Sequence, residues 1–81
     1  MSETAITRFE DCQTLRDWRF WMLRKDQRQI AIAAGVDQST VSAVENGRMT
    51  PRPSRWDDWA AAYGLELAEF KRLLAGSMRQ P

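Results

Sequence analysis

Apolar residues recur along this chain at a helical period. Cys12, Leu15, Trp18 and Met22 fall three and four residues apart with Trp21 beside them, and Arg16, Asp17, Arg19 and Arg24 fill the polar positions between. That spacing predicts a first helix from about Asp11 to Arg24. Asp26 offers its carboxylate as an N-cap for a second helix over Gln27–Ala34, which Gly35 ends by reaching a left-handed backbone at no steric cost. Asp37 is an N-cap candidate for a third helix from Gln38 to about Asn46, stopped by Gly47. Pro51 and Pro53 make Arg48–Pro53 an extended loop. Ser54 with Asp57 three residues on resembles a capping box for a fourth helix, Arg55 to Tyr63, stopped by Gly64; a fifth runs from about Leu67 to Ala75 and stops at Gly76. The pattern thus predicts an all-α domain of five short helices over residues 11–76, with a flexible arm at 1–10 and a frayed tail at 77–81.

Length and composition narrow the chemistry. Eighty-one residues make one small domain. The longest apolar run, Ile30–Val36, is far short of the roughly 20 residues that cross a bilayer. The N-terminal stretch is acidic and lacks an apolar signal segment, so a cytoplasmic protein is expected. There is no histidine, which removes histidine-based catalysis, metal ligation and pH switching. Cys12 is the single cysteine, so no internal disulfide or cysteine zinc site can form, and it reads as a small half-buried core residue. Asp57 and Asp58 are adjacent on a helix, so their side chains diverge and make no two-carboxylate site. No enzyme activity, metal or cofactor is expected. The net charge is only +1, yet residues 13–30 and 48–55 each sum to +3, whereas 31–47 sum to −2 and 56–70 to −4. Nucleic-acid binders often cluster charge on one face in this way, although a set of solvated helix faces gives the same tally.

The stretch Gln27–Asn46, QRQIAIAAGVDQSTVSAVEN, decides between those readings. Two helices are joined by a three-residue turn at Gly35-Val36-Asp37. Ala31 is small where the helices cross closely, and Ile30, Ala34, Val36, Val41 and Val44 face inward and lock the crossing. The outward face of the third helix is left with Gln38, Ser39, Ser42 and Ala43, short side chains that let it approach a partner closely. Those are the features of a helix-turn-helix, whose second helix enters the major groove of DNA. From about Leu15 to Leu74 the sequence resembles the Cro/cI-like (XRE-type) helix-turn-helix regulators of phages and bacteria. The resemblance is carried by Gln27, Ala31, Gly35, Val36, Ser39–Val41, the run Val44-Glu45-Asn46-Gly47-Arg48 followed by Pro51, and Tyr63-Gly64-Leu65. It implies a lambda-repressor-like five-helix fold, double-stranded DNA as partner and a role in transcription. Lys25 departs from the family, which usually has an apolar residue there, and four tryptophans are unusual.

Position then suggests roles. Gln38 can bond adenine N6 and N7 together, Ser39 can reach a base edge or a phosphate, and Ser42 and Ala43 lie a turn further on, Ala43 facing a thymine methyl. Gln27 opens the second helix, where free N–H groups attract phosphate; the resemblance implies that its side chain touches phosphate and braces the third helix. Thr40 is expected at the DNA backbone or partly buried. The resemblance implies phosphate contacts by the Asn46 side chain and the Gly47 N–H. Arg48 and Arg52 would follow the strand, Arg52 into a narrowed minor groove, and Arg28 is a further phosphate contact. Glu45 would be repelled by phosphate, so it is expected to pair with Arg19 or cap the loop. Arg24, Lys25 and Arg55 fit a solvated face as well as they fit phosphate.

One such unit reads only about four to six base pairs, so a twofold homodimer on a near-palindromic operator is expected, with recognition helices roughly 34 Å apart. Leu67, Phe70, Leu73, Leu74 and Met78 form the expected dimer interface, because they carry more apolar area than one face of a short helix buries. Trp18 with Trp21 and Trp56 with Trp59 read as core, or as part of that contact. An antitoxin or adaptor whose C-terminal apolar face binds another protein is the alternative.

Overall fold

Local capping decides where the chain becomes helical. The computed structural model describes residues 6–79. A 3-10 turn, Phe9–Asp11, precedes α1, Leu15–Asp17. Thr14 caps α1 by accepting from the Asp17 N–H (3.0 Å) while the Asp17 carboxylate accepts from the Thr14 N–H (3.2 Å). α1 continues into a π-helical stretch, Trp18–Leu23. α2, Gln27–Ala34, starts on the same reciprocal cap, made by Asp26 and Gln29. α3 is Gln38–Glu45, a second 3-10 turn is Pro53–Arg55, α4 is Trp56–Ala62 and α5 is Leu67–Met78. Among the described residues there is no strand.

α2, α3 and α4 end alike. The N–H groups of Gly35 and Val36 return to the carbonyls of Ile32 and Ala31, those of Gly47 and Arg48 to Val44 and Ala43, and those of Gly64 and Leu65 to Ala61 and Ala60. Each is a Schellman motif, which satisfies two carbonyls the helix end leaves free.

α2 packs against α3 and α4, and α5 lies against α1, α3 and α4, closing the core. Leu15, Ile30, Val41, Val44, Tyr63 and Phe70 are fully buried there. Trp59 is buried, while Trp18 and Trp56 are half-buried and anchor connections by donating their indole N–H to the carbonyls of Tyr63 (2.7 Å) and Pro51 (2.8 Å). Among the described residues no helix is long and apolar enough to cross a membrane.

Several expectations are corrected. The first helix begins at Leu15, not Asp11, and Cys12 is wholly buried in the segment before it. The first five residues of the expected arm lie outside the described ones, but its second half is docked. Phe9 meets Trp18 edge-on, and Arg72 stacks 4.5 Å over the Phe9 ring and donates to the carbonyls of Phe9 and Cys12 (both 3.0 Å). α5 does not stop at Gly76: it continues to Met78, and Ser77 is buried, so the tail expected from residue 77 starts later. Asp37 does not cap α3 with its side chain, because its own carbonyl takes the Thr40 N–H (3.0 Å) that the carboxylate would have accepted. Ser54 lies inside a 3-10 turn and makes no cap. Finally, Phe70, Leu73 and Leu74 are buried within the single chain and have no face to offer a second copy. Of the expected dimer set, Leu67 and Met78 reach the surface.

Candidate nucleic-acid interface

The pose of α3 is set by one buried carboxylate. Glu45, its last residue, is 1% exposed, so each oxygen must be compensated inside the protein. Arg19 approaches it as a fork, with Nε donating to Oε2 (2.8 Å) and Nη2 to Oε1 (3.0 Å). The Tyr63 hydroxyl donates to Oε2 (2.8 Å) and Gln27 Nε2 to Oε1 (3.1 Å). Three other parts of the chain thereby converge on the end of α3: the π-helical stretch, the first residue of α2 and the residue after α4. Removing one member of such a pair strands a buried charge and costs about 3–5 kcal/mol, so the arrangement fixes geometry wherever the fold persists. Burial and the adjacent carboxylate push the Tyr63 hydroxyl pKa far above its usual range, so it stays a donor.

The turn between α2 and α3 is held from outside. Gly35 takes φ 73°, and Arg55 donates from Nη2 to the Ala34 carbonyl (3.0 Å) while its Nε pairs with Asp58 (2.9 Å). Arg55 therefore braces the turn from the surface.

On this scaffold Gln38 and Ser39 are exposed at the start of α3, and Ser42 and Ala43 are half-buried one turn on. Thr40 is half-buried between them. Ser42 accepts from Asn46 Nδ2 (3.3 Å), which leaves its own hydroxyl hydrogen for a further acceptor. Arg28, Arg48 and Arg52 are exposed. Among the described residues three ion pairs form, Arg8–Asp11, Arg19–Glu45 and Arg55–Asp58, so those three arginines are in none. Gln27 is half-buried and its amide braces Glu45 at the end of α3, the bracing that the resemblance implies. One expected contact changes character. The Gly47 N–H is already given to the Val44 carbonyl (3.2 Å), so it is not free for phosphate.

The repulsion of a carboxylate by phosphate left Glu45 two structural roles in the sequence, pairing with Arg19 or capping the loop, and the structure shows the first. Sequence reasoning missed Tyr63, whose only sequence signal is a hydroxyl at the apolar end of α4, and the bracing of the turn by Arg55, whose charge fitted a solvated face and phosphate equally.

A polar, short-chained helix face, held rigidly on a tight helix pair and accompanied by unpaired cations, defines a helix-turn-helix DNA-binding domain. Residues 13–73 match the Helix-turn-helix domain family, and the chain belongs to that family, a group of XRE-like DNA-binding domains. No curated protein and no solved structure matches it.

Proposed function

We propose that this chain is a sequence-specific regulator of transcription, which inserts α3 into the major groove and binds as a homodimer at a near-palindromic operator, most simply as a repressor. The observation that carries the reading is the exposed face of α3, with Gln38 and Ser39 projecting from a helix whose far end is clamped by Glu45. Gln38, Ser39, Ser42 and Ala43 then read base edges. Arg28, Arg48, Arg52, Thr40 and Asn46 hold the backbone, where each cation releases counterions. Two copies supply the length of sequence that one helix lacks, and Leu67 and Met78 remain as the part of α5 able to meet a partner copy.

Selection from random duplexes, followed by fluorescence anisotropy on the enriched sequence and a scrambled control, tests this. The expected preference is a thousandfold or more, with two protomers per site. Gln38→Ala should cost about 1–3 kcal/mol at one base position and relax the preference there. Equal weakening on every duplex would remove Gln38 from base reading.

A further inference from the structure

The corner between the π-helical stretch and α2 contains the one non-glycine residue, among those described, with a left-handed backbone. Arg24 sits at φ 61° and ψ 38°. The equivalent positions after α2, α3 and α4 are Gly35, Gly47 and Gly64. An L side chain is disfavoured in this conformation and glycine is the usual occupant. The position is strained for an arginine, and the fold gains little from its guanidinium. The Arg24 side chain is exposed, is in no ion pair, and gives Nε to the Trp21 carbonyl three residues back (3.1 Å, exposed).

Its surroundings point one way. Lys25 is also exposed and outside the three ion pairs, as is Arg28 at the second position of α2. Asp26, the acid next in sequence, has its carboxylate engaged with the Gln29 N–H (2.9 Å). The corner is not loose. The Lys25 carbonyl accepts from Arg19 Nη1 (3.1 Å), and Arg19 is the residue forked onto Glu45 at the end of α3. Arg24 and Lys25 are thus cations held in fixed relation to the reading helix, at the lip of a shallow open depression they share with Arg19, Phe20 and Asp26.

The geometry points to Arg24 and Lys25 as a second clamp on the DNA backbone, with Arg24 kept in a strained conformation for a phosphate contact beside the groove that α3 reads. This rests on the helix-turn-helix reading above. It differs from the clamp of Arg48 and Arg52, which lies in the loop after α3.

The test measures anisotropy on the selected duplex across a salt series, with thermal unfolding in parallel, for wild type, Arg24→Gly, Arg24→Lys and Lys25→Ala. Arg24→Gly should unfold several degrees higher, because the strain is relieved. It should also bind every duplex several-fold more weakly, with the salt slope lower by about one unit and base preferences unchanged. Arg24→Lys keeps the charge, so it should keep most of the slope and the wild-type Tm; Lys25→Ala should lower the slope alone. An Arg24→Gly protein that binds with wild-type affinity and slope overturns the inference while leaving the helix-turn-helix reading intact. One that unfolds at a lower temperature than wild type overturns it too, because the side chain then serves the fold. Wild type that binds no duplex overturns the reading and the inference together.

Discussion

Glu45 shows how much one side chain can decide. Its carboxylate takes hydrogen bonds from Arg19, Gln27 and Tyr63, and the last of these makes the domain sensitive to alkali. Burial first, and then the Glu45 charge, raise the Tyr63 hydroxyl pKa far above the ordinary tyrosine value of 10.0. The folded protein therefore keeps this proton at a pH where the unfolded chain releases it. Stability from this group is complete below about pH 10 and falls as pH rises further, because only the unfolded state gains by ionising. The urea midpoint should decline above about pH 10 in wild type and far less in Tyr63→Phe, whose lost hydrogen bond to the buried carboxylate costs about 1.5–3 kcal/mol near neutrality. An equally steep decline in the variant would locate the alkaline sensitivity elsewhere. Burial also raises the Cys12 thiol pKa, so a smaller decline beginning near pH 9 should persist in both proteins. The sequence offers the Glu45–Arg19 pairing as one of two roles by chemical argument, yet a 3.6-residue period puts Arg19 among the solvent-facing positions. The π-helical stretch has a wider turn, and in it Arg19 is buried.

At the scale of elements, helix cores were legible from the sequence and several helix ends were not. α2 lies where its apolar spacing, Asp26 cap and Gly35 stop place it, because all three signals are local. Gly76 looks like the same kind of stop, but its reason is distant. A Cβ built there would lie 1.8 Å from the Gln13 carbonyl oxygen, so glycine lets α5 press against the segment leading into α1. One residue on, Ser77 takes the Leu15 N–H (3.0 Å) and gives its own hydroxyl to the Leu73 carbonyl (3.0 Å), fixing the same contact. No local pattern contains a partner more than sixty residues away. The contact makes Gly76→Ala a test with opposed signs. Helix propensity alone favours alanine by about 1 kcal/mol in a helix interior. Collision with a backbone carbonyl requires α5 to shift off α1 and should destabilise the domain by about 1–3 kcal/mol, the usual range for an overpacked core, and so outweigh the propensity gain. A lower urea midpoint supports the close approach; a raised one would make Gly76 an ordinary helical glycine.

For the whole molecule, the question is how α5 divides its apolar surface between its own chain and a second one. The sequence suggests a surplus, because a short helix lying on one neighbour could not bury Leu67, Phe70, Leu73, Leu74 and Met78 together. The structure removes that premise: α5 lies among α1, α3 and α4, so three neighbours take its side chains, and Phe70, Leu73 and Leu74 are consumed within the fold. Leu67, 37% exposed, and the half-buried Met78 are what remain. Substitutions along this one helix should then split into two behaviours. Leu74→Glu places a carboxylate in the core with no partner, and burying an unpaired charge costs more than a domain of this size can lose. Its expected outcome is loss of the helical circular dichroism signal and of the cooperative melt. Leu67→Glu changes only the surface and should keep both. If two copies meet through the exposed remainder of α5, Leu67→Glu should also lower the mass measured by light scattering and weaken binding to a palindromic duplex more than to a half-site. A Leu74→Glu protein that stays folded and becomes monomeric would restore Leu74 to a contact between chains. A Leu67→Glu protein with unchanged mass and unchanged palindrome preference would move the dimer contact away from α5 altogether, since no other part of the expected interface is left on its surface.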